Sequence, residues 1–239
     1  MVTRSLTLPL LAVIAATLTR AGAAGDGIAN EQVSITRGIG PDKARLAFVH
    51  AIAGADKVDL LGDGRVLRRN VSYGRRLKPQ SLRAEGYSLD VDAAKVGLPY
   101  IDAFTADLQG GRDYTFVAYG NTESSSPTLG LLVDVPGLLV PKDTVQLLFT
   151  NASPDSLPAD LLIDGQVLYS GVASGSFQGP QPMDDSKHEV EVRINGLSVV
   201  GPTVKKFKHR ETINLVLYGT ALGEDGKPLQ LLSSEMKSR

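Results

Sequence analysis

The chain has 239 residues, 42% hydrophobic and 21% charged, which is ordinary for a globular protein of one or two domains. Its formal net charge of -1 gives no overall attraction to nucleic acid or to a membrane surface. Cysteine is absent, which excludes disulfides, a thiol nucleophile and thiolate metal sites. Glycine (25) and proline (13) are abundant, a composition typical of short strands joined by many turns.

The first 24 residues have the pattern of a secretory signal peptide. Arg4 precedes an apolar run from Leu6 to Thr19, and a signal peptidase could cut after Ala23 or Ala24. The run is shorter than the ~20 residues that span a bilayer, so we expect no transmembrane segment after signal removal. Retention of the segment as an anchor is the alternative. We predict an exported protein, periplasmic or extracellular, with a flexible linker at residues 25–43.

One stretch of the sequence occurs twice. Residues 46–74 (LAFVHAIAGADKVDLLGDGRVLRRNVSYG) recur 101 positions later as residues 147–175 (LLFTNASPDSLPADLLIDGQVLYSGVASG). Of the 29 aligned residues, 12 are identical. A period of about 100 residues is too long for a solenoid repeat. The sequence therefore predicts two domains related by internal duplication, at residues 44–136 and 144–235.

The elements of each copy, in chain order, are short strands separated by turns. Leu46–Ala51 is apolar on both faces, which suits a strand covered on both sides. Asp63-Gly64 then lies between two apolar runs and is typical of a two-residue hairpin, because both residues can adopt a positive φ. Asp164-Gly165 repeats the hairpin in the second copy, and Asn195-Gly196 adds another.

Alternating runs complete each copy. Val190–Ile194 alternates apolar and charged residues, and Asp113–Tyr119 matches Thr212–Tyr218, each followed by glycine. Turn signals recur every 8–12 residues or so, and no long helical period is present. We predict an all-β fold of two tandem antiparallel β-sandwich domains, immunoglobulin-like or transthyretin-like, each with its own core.

The second copy resembles a known family at two motifs. Asn151-Ala152-Ser153-Pro154-Asp155 and the run from Ala159 to Gly165 resemble the signature of the Domain of Unknown Function 4397 family. The first copy keeps His50-Ala51, Val58-Asp59 and Asp63-Gly64 but lacks the Ser-Pro-Asp element. The resemblance extends in tandem over nearly the whole mature chain. It implies a secreted or envelope-associated β-sandwich module with no established activity.

No catalytic motif is evident. Spacings such as H-E-x-x-H, a serine elbow and a phosphate-binding loop are all absent. His50 aligns with Asn151, so we expect it to hydrogen-bond a loop backbone and not to bind metal. His188 and His209 lie on polar segments that we expect to be exposed. We predict a protein that is not an enzyme.

Six aspartates raise calcium as a possibility: Asp56, Asp59, Asp63, Asp155, Asp160 and Asp164. Calcium requires several oxygens that converge from one loop, whereas these acids are spread over a strand and a turn. Aspartate at a turn usually bonds its own backbone. We therefore predict no metal site and no cofactor.

Basic residues distinguish the two copies. Seven of them lie between residues 65 and 83 with no acid among them: Arg65, Arg68, Arg69, Arg75, Arg76, Lys78 and Arg83. The aligned residues 166–184 contain no lysine or arginine. The stretch is a candidate polyanion-binding surface, since arginine pairs well with phosphate and carboxylate. The alternative is a solvated surface neutralised by acids such as Glu85 and Asp90.

The function that we expect is a non-enzymatic binding or structural module that recognises an envelope glycan, a polymer or a protein through its surface loops. Polyanion binding through the basic stretch is one alternative, and a hydrolase with its site at the domain joint, residues 136–141, is another. Only Tyr73 could stack a base near the basic stretch. This does not favour sequence-specific or single-stranded nucleic-acid binding.

Overall fold

A computed structural model describes residues 40–122, 128–135, 140–221 and 227–237. These residues contain sixteen strands and no helix. The strands of the first half are β1 (Lys43–Ala53), β2 (Lys57–Gly62), β3 (Arg65–Ser72), β4 (Arg75–Arg83), β5 (Gly86–Ala93), β6 (Pro99–Asp107), β7 (Asp113–Asn121) and β8 (Leu129–Val135). Those of the second half are β9 (Thr144–Asn151), β10 (Ala159–Ile163), β11 (Gln166–Val172), β12 (Ser176–Asp184), β13 (Lys187–Ile194), β14 (Leu197–Lys206), β15 (Glu211–Tyr218) and β16 (Gln230–Lys237).

The strands form four sheets of four, two in each half. In the first half, the order β4-β1-β7-β8 makes a sheet that we call the first inner sheet, and β3-β2-β5-β6 makes the first outer sheet. The second half repeats both orders eight strands later, as β12-β9-β15-β16 (second inner sheet) and β11-β10-β13-β14 (second outer sheet). The all-β fold of two tandem sandwiches is therefore confirmed, and its topology is duplicated in full.

Each sandwich departs from the expected antiparallel pairing at one place. The central strands of each inner sheet, β1 with β7 and β9 with β15, are parallel. Parallel neighbours need a long crossover connection. Five intervening strands, β2–β6 or β10–β14, supply it here.

The predicted hairpin dipeptides all adopt the left-handed conformation that a tight turn needs. Asp63 and Asp164 both have φ of 50°, and Asn195 has φ of 51°. The following glycines have φ between 72° and 77°. Because both turn residues have positive φ, the turn twist matches the twist of the flanking strands.

Three apolar clusters hold the four sheets together. Two of them fill the sandwiches, around Phe48 and Phe116 in the first and around Phe149 and Leu161 in the second. The third lies between the two inner sheets and is built from Ala47, Val49, Ala51, Val117, Tyr119, Val133, Val135, Leu148, Ala152, Val216, Tyr218 and Met236. The expectation of one core per domain is thus incomplete, because the inner sheets are covered on both faces.

The contacts between the two sandwiches are reciprocal. Gly74 lies against the ring of Tyr218, and the equivalent Gly175 lies against the hydroxyl of the equivalent Tyr119. Strand β4 contacts β16, and its equivalent β12 contacts β8. This is the pattern of an approximate two-fold relation, in which the same patch of each half meets its counterpart.

Several predictions fall outside the described residues. The signal peptide, most of the 25–43 linker and residues 136–139 of the joint are among them, and strand β1 begins at Lys43. The domain limits and the export signal therefore stay predictions. Within the described ranges, no helix is long and apolar enough to cross a membrane.

Candidate functional site

The seven predicted basic residues lie on two strands that border one side of the first sandwich. Strand β3 is an edge of the first outer sheet and β4 is an edge of the first inner sheet. The turn Tyr73-Gly74 joins them directly. Strand β3 carries Arg65, Arg68 and Arg69, whereas β4 carries Arg75, Arg76, Lys78 and Arg83. All seven positions therefore lie on the two strands that border one side of the sandwich.

Six of these side chains are exposed, and together we call them the cationic edge: Arg65, Arg68, Arg69, Arg75, Lys78 and Arg83. An edge strand has a sheet neighbour on one side only, so its long side chains reach water easily. Charged residues on such a strand also hinder pairing with other chains, which is a structural reason for their presence.

Arg76 does not belong to this exposed set. It is half-buried and donates hydrogen bonds to the Ser234 hydroxyl, at 3.2 Å, and to the carbonyl of Glu235 on β16. Burial lowers the pKa of its guanidinium, and the carboxylates of Glu235 and Glu211 oppose that shift. Arg76 therefore joins the two sandwiches, and its charge is already engaged within the protein.

The acids that could neutralise the cationic edge lie off its two strands. Asp90 is on β5, which β2 separates from β3, and its carboxylate accepts a hydrogen bond from the Ala103 amide at 2.8 Å. Glu85 follows β4 and accepts a hydrogen bond from the Tyr87 hydroxyl at 3.2 Å. Among the described residues, no ion pair is formed by a member of the cationic edge.

The matching side of the second sandwich is built differently. Strands β11 and β12 border it, and Tyr169 occupies the position that Arg68 has in the first copy. The Tyr169 ring is 3% exposed, and its hydroxyl donates a hydrogen bond of 2.5 Å to the carbonyl of Leu147. An apolar ring thus closes one sandwich where a cation borders the other.

Five of the six candidate calcium aspartates accept a hydrogen bond from a backbone amide of a turn, a bulge or a loop. Asp59 accepts a hydrogen bond from the Asn70 amide at 2.8 Å, and the equivalent Asp160 accepts one from the Gly171 amide at 2.7 Å. Asp63 and Asp164 likewise bind the amides of Ser88 and Glu189, and Asp155 binds that of Ala221. In the part of the chain that the structure describes, no group of three potential ligands could hold a metal ion.

His50 has the backbone role that its alignment with Asn151 predicts. The imidazole Nδ1 accepts a hydrogen bond from the Ile52 amide, at 3.3 Å, so Nε2 carries the proton that bonds the Ala55 carbonyl at 2.8 Å. Asn151 accepts the equivalent bond from the Ser153 amide at 3.2 Å. Burial lowers the pKa of His50 to about 4, although its bond to Ala55 opposes the shift. The ring is therefore neutral.

His188 is not exposed as the sequence analysis expected; it is 5% exposed. The side chain stacks on Phe207 and its Nδ1 lies 2.7 Å from Oδ2 of Asp164. Its Nε2 faces the hydroxyl of Ser186 at 3.1 Å and the carbonyl of Asp184 at 3.2 Å. The polarity of residues 184–189 gave the wrong expectation, because alternation in β13 turns this one side chain inward.

The Asp164–His188–Ser186 arrangement has the connectivity of a catalytic triad, but its hydrogen bonds favour a structural role. Burial lowers the pKa of His188, yet the bonds to Asp164 and Asp184 outweigh burial and the net shift is upward. Nε2 faces the Asp184 carbonyl, which can only accept a hydrogen bond, so a proton on Nε2 satisfies that contact and leaves no lone pair there for the Ser186 hydroxyl. In the first copy, Asp63, Tyr87 and Glu85 occupy the three equivalent positions.

One basic cluster escaped the sequence analysis. Residues 205–210 read KKFKHR, and β14 ends at the second of them, Lys206. Lys206, Lys208 and Arg210 border an open groove that also contains the acids Asp185 and Glu211. The run is visible in the sequence as four lysine and arginine residues within six positions. Its acids make this groove mixed in charge, unlike the cationic edge.

The hydrolase alternative was placed at the joint, and residues 136–139 of the joint lie outside the described residues. The described interface between the two inner sheets contains the third apolar cluster. Val216 and Leu148 from the second half meet Val49 and Val117 from the first half there, all of them fully buried. The polar groups near it, such as the Thr150 hydroxyl and the Asn214 side-chain oxygen, 2.9 Å apart, bond one another. This packing gives the interface between the two inner sheets the character of a core.

Comparison with known families gives one match. The model of a family described as a domain of unknown function (DUF4397) matches residues 44–157. Residues 44–157 are therefore similar to the DUF4397 family. The matched range contains the described first sandwich from Ala44 onwards and ends after the Asn151–Asp155 motif of the second. The suspected DUF4397 resemblance is confirmed, although the match is shorter than the tandem extent that the motifs implied. No curated protein matches the chain.

Proposed function

We propose that this chain is an exported, non-enzymatic binding module that holds an anionic polymer against the cationic edge of its first sandwich. A single observation carries the proposal. Six exposed basic side chains line two adjacent edge strands, whereas the matching strands of the second sandwich have none. Two copies of one topology need the same edge protection, so protection alone does not account for a difference in charge.

The shape of the edge suits an extended polymer. Strand β4 has nine residues and is therefore about 30 Å long at ~3.3 Å per residue. Arginine predominates on the edge, and its planar guanidinium forms paired hydrogen bonds with carboxylate, phosphate or sulfate groups. Because the whole chain is nearly neutral, attraction is local to this edge and weakens with added salt.

The segment from Arg4 to Thr19 supports the exported location in this proposal. An envelope or extracellular polymer with repeated acidic groups, such as an acidic glycan, is then the class of partner that the edge would meet. Recognition by surface charge needs no catalytic group. The triad-like arrangement at His188 is consistent with this, because its imidazole is held by hydrogen bonds to the Asp164 carboxylate and the Asp184 carbonyl.

Retention on immobilised heparin, a sulfated polymer, tests the proposal. We expect the mature protein to bind at low salt and the variant Arg65→Gln/Arg69→Gln/Arg75→Gln to elute at clearly lower salt. The control removes the same number of charges from the other groove, Lys206→Gln/Lys208→Gln/Arg210→Gln. It should elute close to the unaltered protein.

Two results would contradict polymer binding at this edge. One is the absence of retention of the unaltered protein at low salt. The other is an equal loss of retention in both triple variants, because retention would then follow total charge and not position. Circular dichroism of each variant checks that the sheets are intact.

A further inference from the structure

An open groove lies at the end of the second sandwich, where β14 ends, β15 begins and β16 ends. Its volume is about 670 Å³, within the usual range of small-molecule sites. The exposed residues Lys206, Lys208 and Arg210 line it together with Glu211, which is buried. The groove therefore presents cations and a carboxylate to one volume.

The first sandwich has the same backbone at this end without the same charges. The Gly111 amide bonds the Lys43 carbonyl at 2.8 Å, and the Arg210 amide bonds the Thr144 carbonyl at 2.9 Å in the equivalent place of the second copy. The three basic residues of the groove stand where the first copy has an acid, an amide and a glycine: Asp107, Gln109 and Gly111. The cations thus occupy a backbone that forms without them.

Arg210 lies at a backbone position that favours glycine. Its φ is 58°, and the equivalent Gly111 has φ of 76°. A left-handed backbone strains a residue that has a Cβ, so glycine would be the more stable choice here. Strain of this kind occurs at binding sites, where the side chain has a use other than stability.

Glu211 is a buried carboxylate without a direct partner. It is 5% exposed, and its side chain forms no hydrogen bond or ion pair with another described residue. Burial raises the pKa of its carboxyl, Glu235 adds to the rise, and Lys208, Lys237 and Arg76 oppose it from a distance. Its charge is therefore attracted by neighbours but contacted by none of them.

The first sandwich shows what this position lacks. Its equivalent of Glu211 is Arg112, which forms an ion pair with Asp134. Strand pairing makes Glu235 the equivalent of Asp134. The second copy thus has two acids where the first has a cation and an acid, which leaves Glu211 open to a cation from outside the chain.

We propose that this groove binds a phosphate-bearing primary amine, with the ammonium on Glu211 and the phosphate on Lys206, Lys208 and Arg210. A phosphate monoester has up to two charges and three acceptor oxygens, which suit several cations better than a carboxylate does. A primary ammonium has three donors for a carboxylate that has none. Phe207 is 2% exposed, so the groove has no open phenyl face for a quaternary ammonium.

This inference goes beyond the proposed function, because it concerns another surface and another ligand. The mixed charge that makes the groove unsuitable for a polyanion is what a zwitterion requires. A divalent cation is a poorer occupant, since no group of three potential ligands exists among the described residues. The second acid of the groove, Asp185, lies 3.4 Å from His209 and is engaged there.

The probe is O-phosphorylethanolamine, in which two carbons join a primary amine to a phosphate. We expect the intact protein to bind it with a dissociation constant of about 1 mM, as suits so small a ligand. Ethanolamine and methyl phosphate should each bind about fivefold or more weakly, because each lacks one of the two charges. Phosphocholine, whose ammonium has no N–H, should bind like methyl phosphate. Amide shifts in a nitrogen-15 NMR titration should concentrate in residues 205–211.

Glu211→Gln keeps the shape of the side chain and removes its charge. We expect O-phosphorylethanolamine to bind this variant as weakly as methyl phosphate binds the unaltered protein. The affinity for methyl phosphate itself should not fall, which a variant with a damaged groove would not reproduce.

The first copy supplies a second variant. Lys208→Gln/Arg210→Gly installs the residues that the first sandwich has at these positions and removes the left-handed strain of Arg210, so it should fold. It should reduce the affinity for the probe to that for ethanolamine. Lys57→Gln/Lys95→Gln removes two exposed charges from the first sandwich and is the matched control, which should keep the affinity of the unaltered protein.

The same chemical group can come from a lipid headgroup or from a soluble or polymer-attached compound. Sedimentation with vesicles of phosphatidylethanolamine and phosphatidylcholine, against phosphatidylcholine alone, distinguishes them. Retention on the first vesicles that Glu211→Gln loses supports the groove and assigns the lipid. Binding of the free probe without such retention supports the groove and assigns the other source.

The results that overturn the inference are separate from those of the heparin experiment. They are no binding of the probe at ~10 mM, ten times the expected dissociation constant, equal affinity for the probe and methyl phosphate, unchanged affinity in Glu211→Gln, or shifts that map to β3 and β4. The triple variant of Lys206, Lys208 and Arg210 should lose the probe and keep heparin, and the triple variant of the cationic edge should do the reverse. Either proposal can therefore fail alone.

Discussion

His50 and Asn151 show how one position of a duplicated fold can keep its contact while the residue changes. Both side chains accept a hydrogen bond from the amide two residues later. Asparagine does this without a titratable group, whereas histidine does it only when neutral. At this position the first sandwich therefore has a sensitivity to acid that the second lacks, through a substitution that keeps the hydrogen bond of the loop.

His50→Asn should remove that sensitivity. The pKa of His50 falls from 6.5 to about 4 on folding, so its contribution to the free energy of unfolding is fully present above pH 6.5. The contribution disappears as the pH falls towards 4, and the loss amounts to about 3 kcal/mol. Urea unfolding of the unaltered protein and the variant between these pH values measures the difference.

The control for that prediction is His209→Asn. His209 lies 3.4 Å from Asp185 at the surface of the second half. We expect the free energy of unfolding of this variant to change with pH as that of the unaltered protein does. If His50→Asn unfolds with the same dependence on pH as the unaltered protein, the neutral, buried role assigned to His50 is wrong.

At the scale of the strand, the repeated glycine and tyrosine are contact residues between the sandwiches. Gly175 has φ of 70° and would place a Cβ against the hydroxyl of Tyr119. Gly165 has nearly the same backbone conformation, with φ of 75°, and no atom within 4 Å of its Cβ position. A comparison of substitutions at Gly175 and Gly165 therefore separates the strain of a positive φ from the cost of a steric clash with Tyr119.

Gly175→Ala should therefore lower the free energy of unfolding by about 2 kcal/mol more than Gly165→Ala. Removal of the hydroxyl in Gly175→Ala/Tyr119→Phe should recover part of that difference. Chemical denaturation of the three variants gives the values. Equal effects of the two glycine substitutions would show that Gly175 is needed for its turn alone.

The strands that the sequence predicted best are those whose pattern is local. Apolar runs and Asp-Gly turns gave β1, β2 and the hairpins, because alternation and positive φ depend on neighbouring residues. Strands β4 and β12 escaped prediction, since Lys78-Pro79 and Gly179-Pro180 interrupt them at a bulge. Parallel pairing of β1 with β7 depends on residues about 70 positions apart, which no local pattern records.

The candidate site was predictable in part for the same reason. The charge contrast between the copies identified Arg65, Arg68 and Lys78, and the structure places them on adjacent edge strands. Nothing in the sequence separated Arg76 from them, because its partners on β16 are more than 150 residues away. The alignment also pairs Arg68 with Tyr169, but the sequence does not show that the Tyr169 ring is buried between the two sheets of its sandwich.

For the whole molecule, the third apolar cluster makes two sandwiches into one stack of four sheets. The sequence carried this information, since β1 and β7 are apolar on both faces and a sheet within one sandwich needs only one apolar face. The two faces of β1 serve different clusters, with Phe48 in one and Val49 in the other.

The full chain should therefore unfold in one cooperative transition, and Val216→Asp should split it into two. Val216 is fully buried between the inner sheets, and an aspartate there would separate them without entering either sandwich core. Scanning calorimetry measures the transitions. Val167→Asp, at a residue that is 57% exposed on β11, should leave the profile unchanged. Two transitions in the unaltered protein would contradict this coupling.

The reciprocal packing of Gly74 with Tyr218 and Gly175 with Tyr119 has a consequence for how the two halves could diverge. A single sandwich that paired with a second copy of itself through this face would have two identical open sides, and any change to one would appear on both. A covalent tether removes that constraint, because it holds the two halves at a high effective concentration while their sequences differ. One side could then be covered by the buried Tyr169 ring while the other carries the cationic edge, which gives two different surfaces on two copies of one fold.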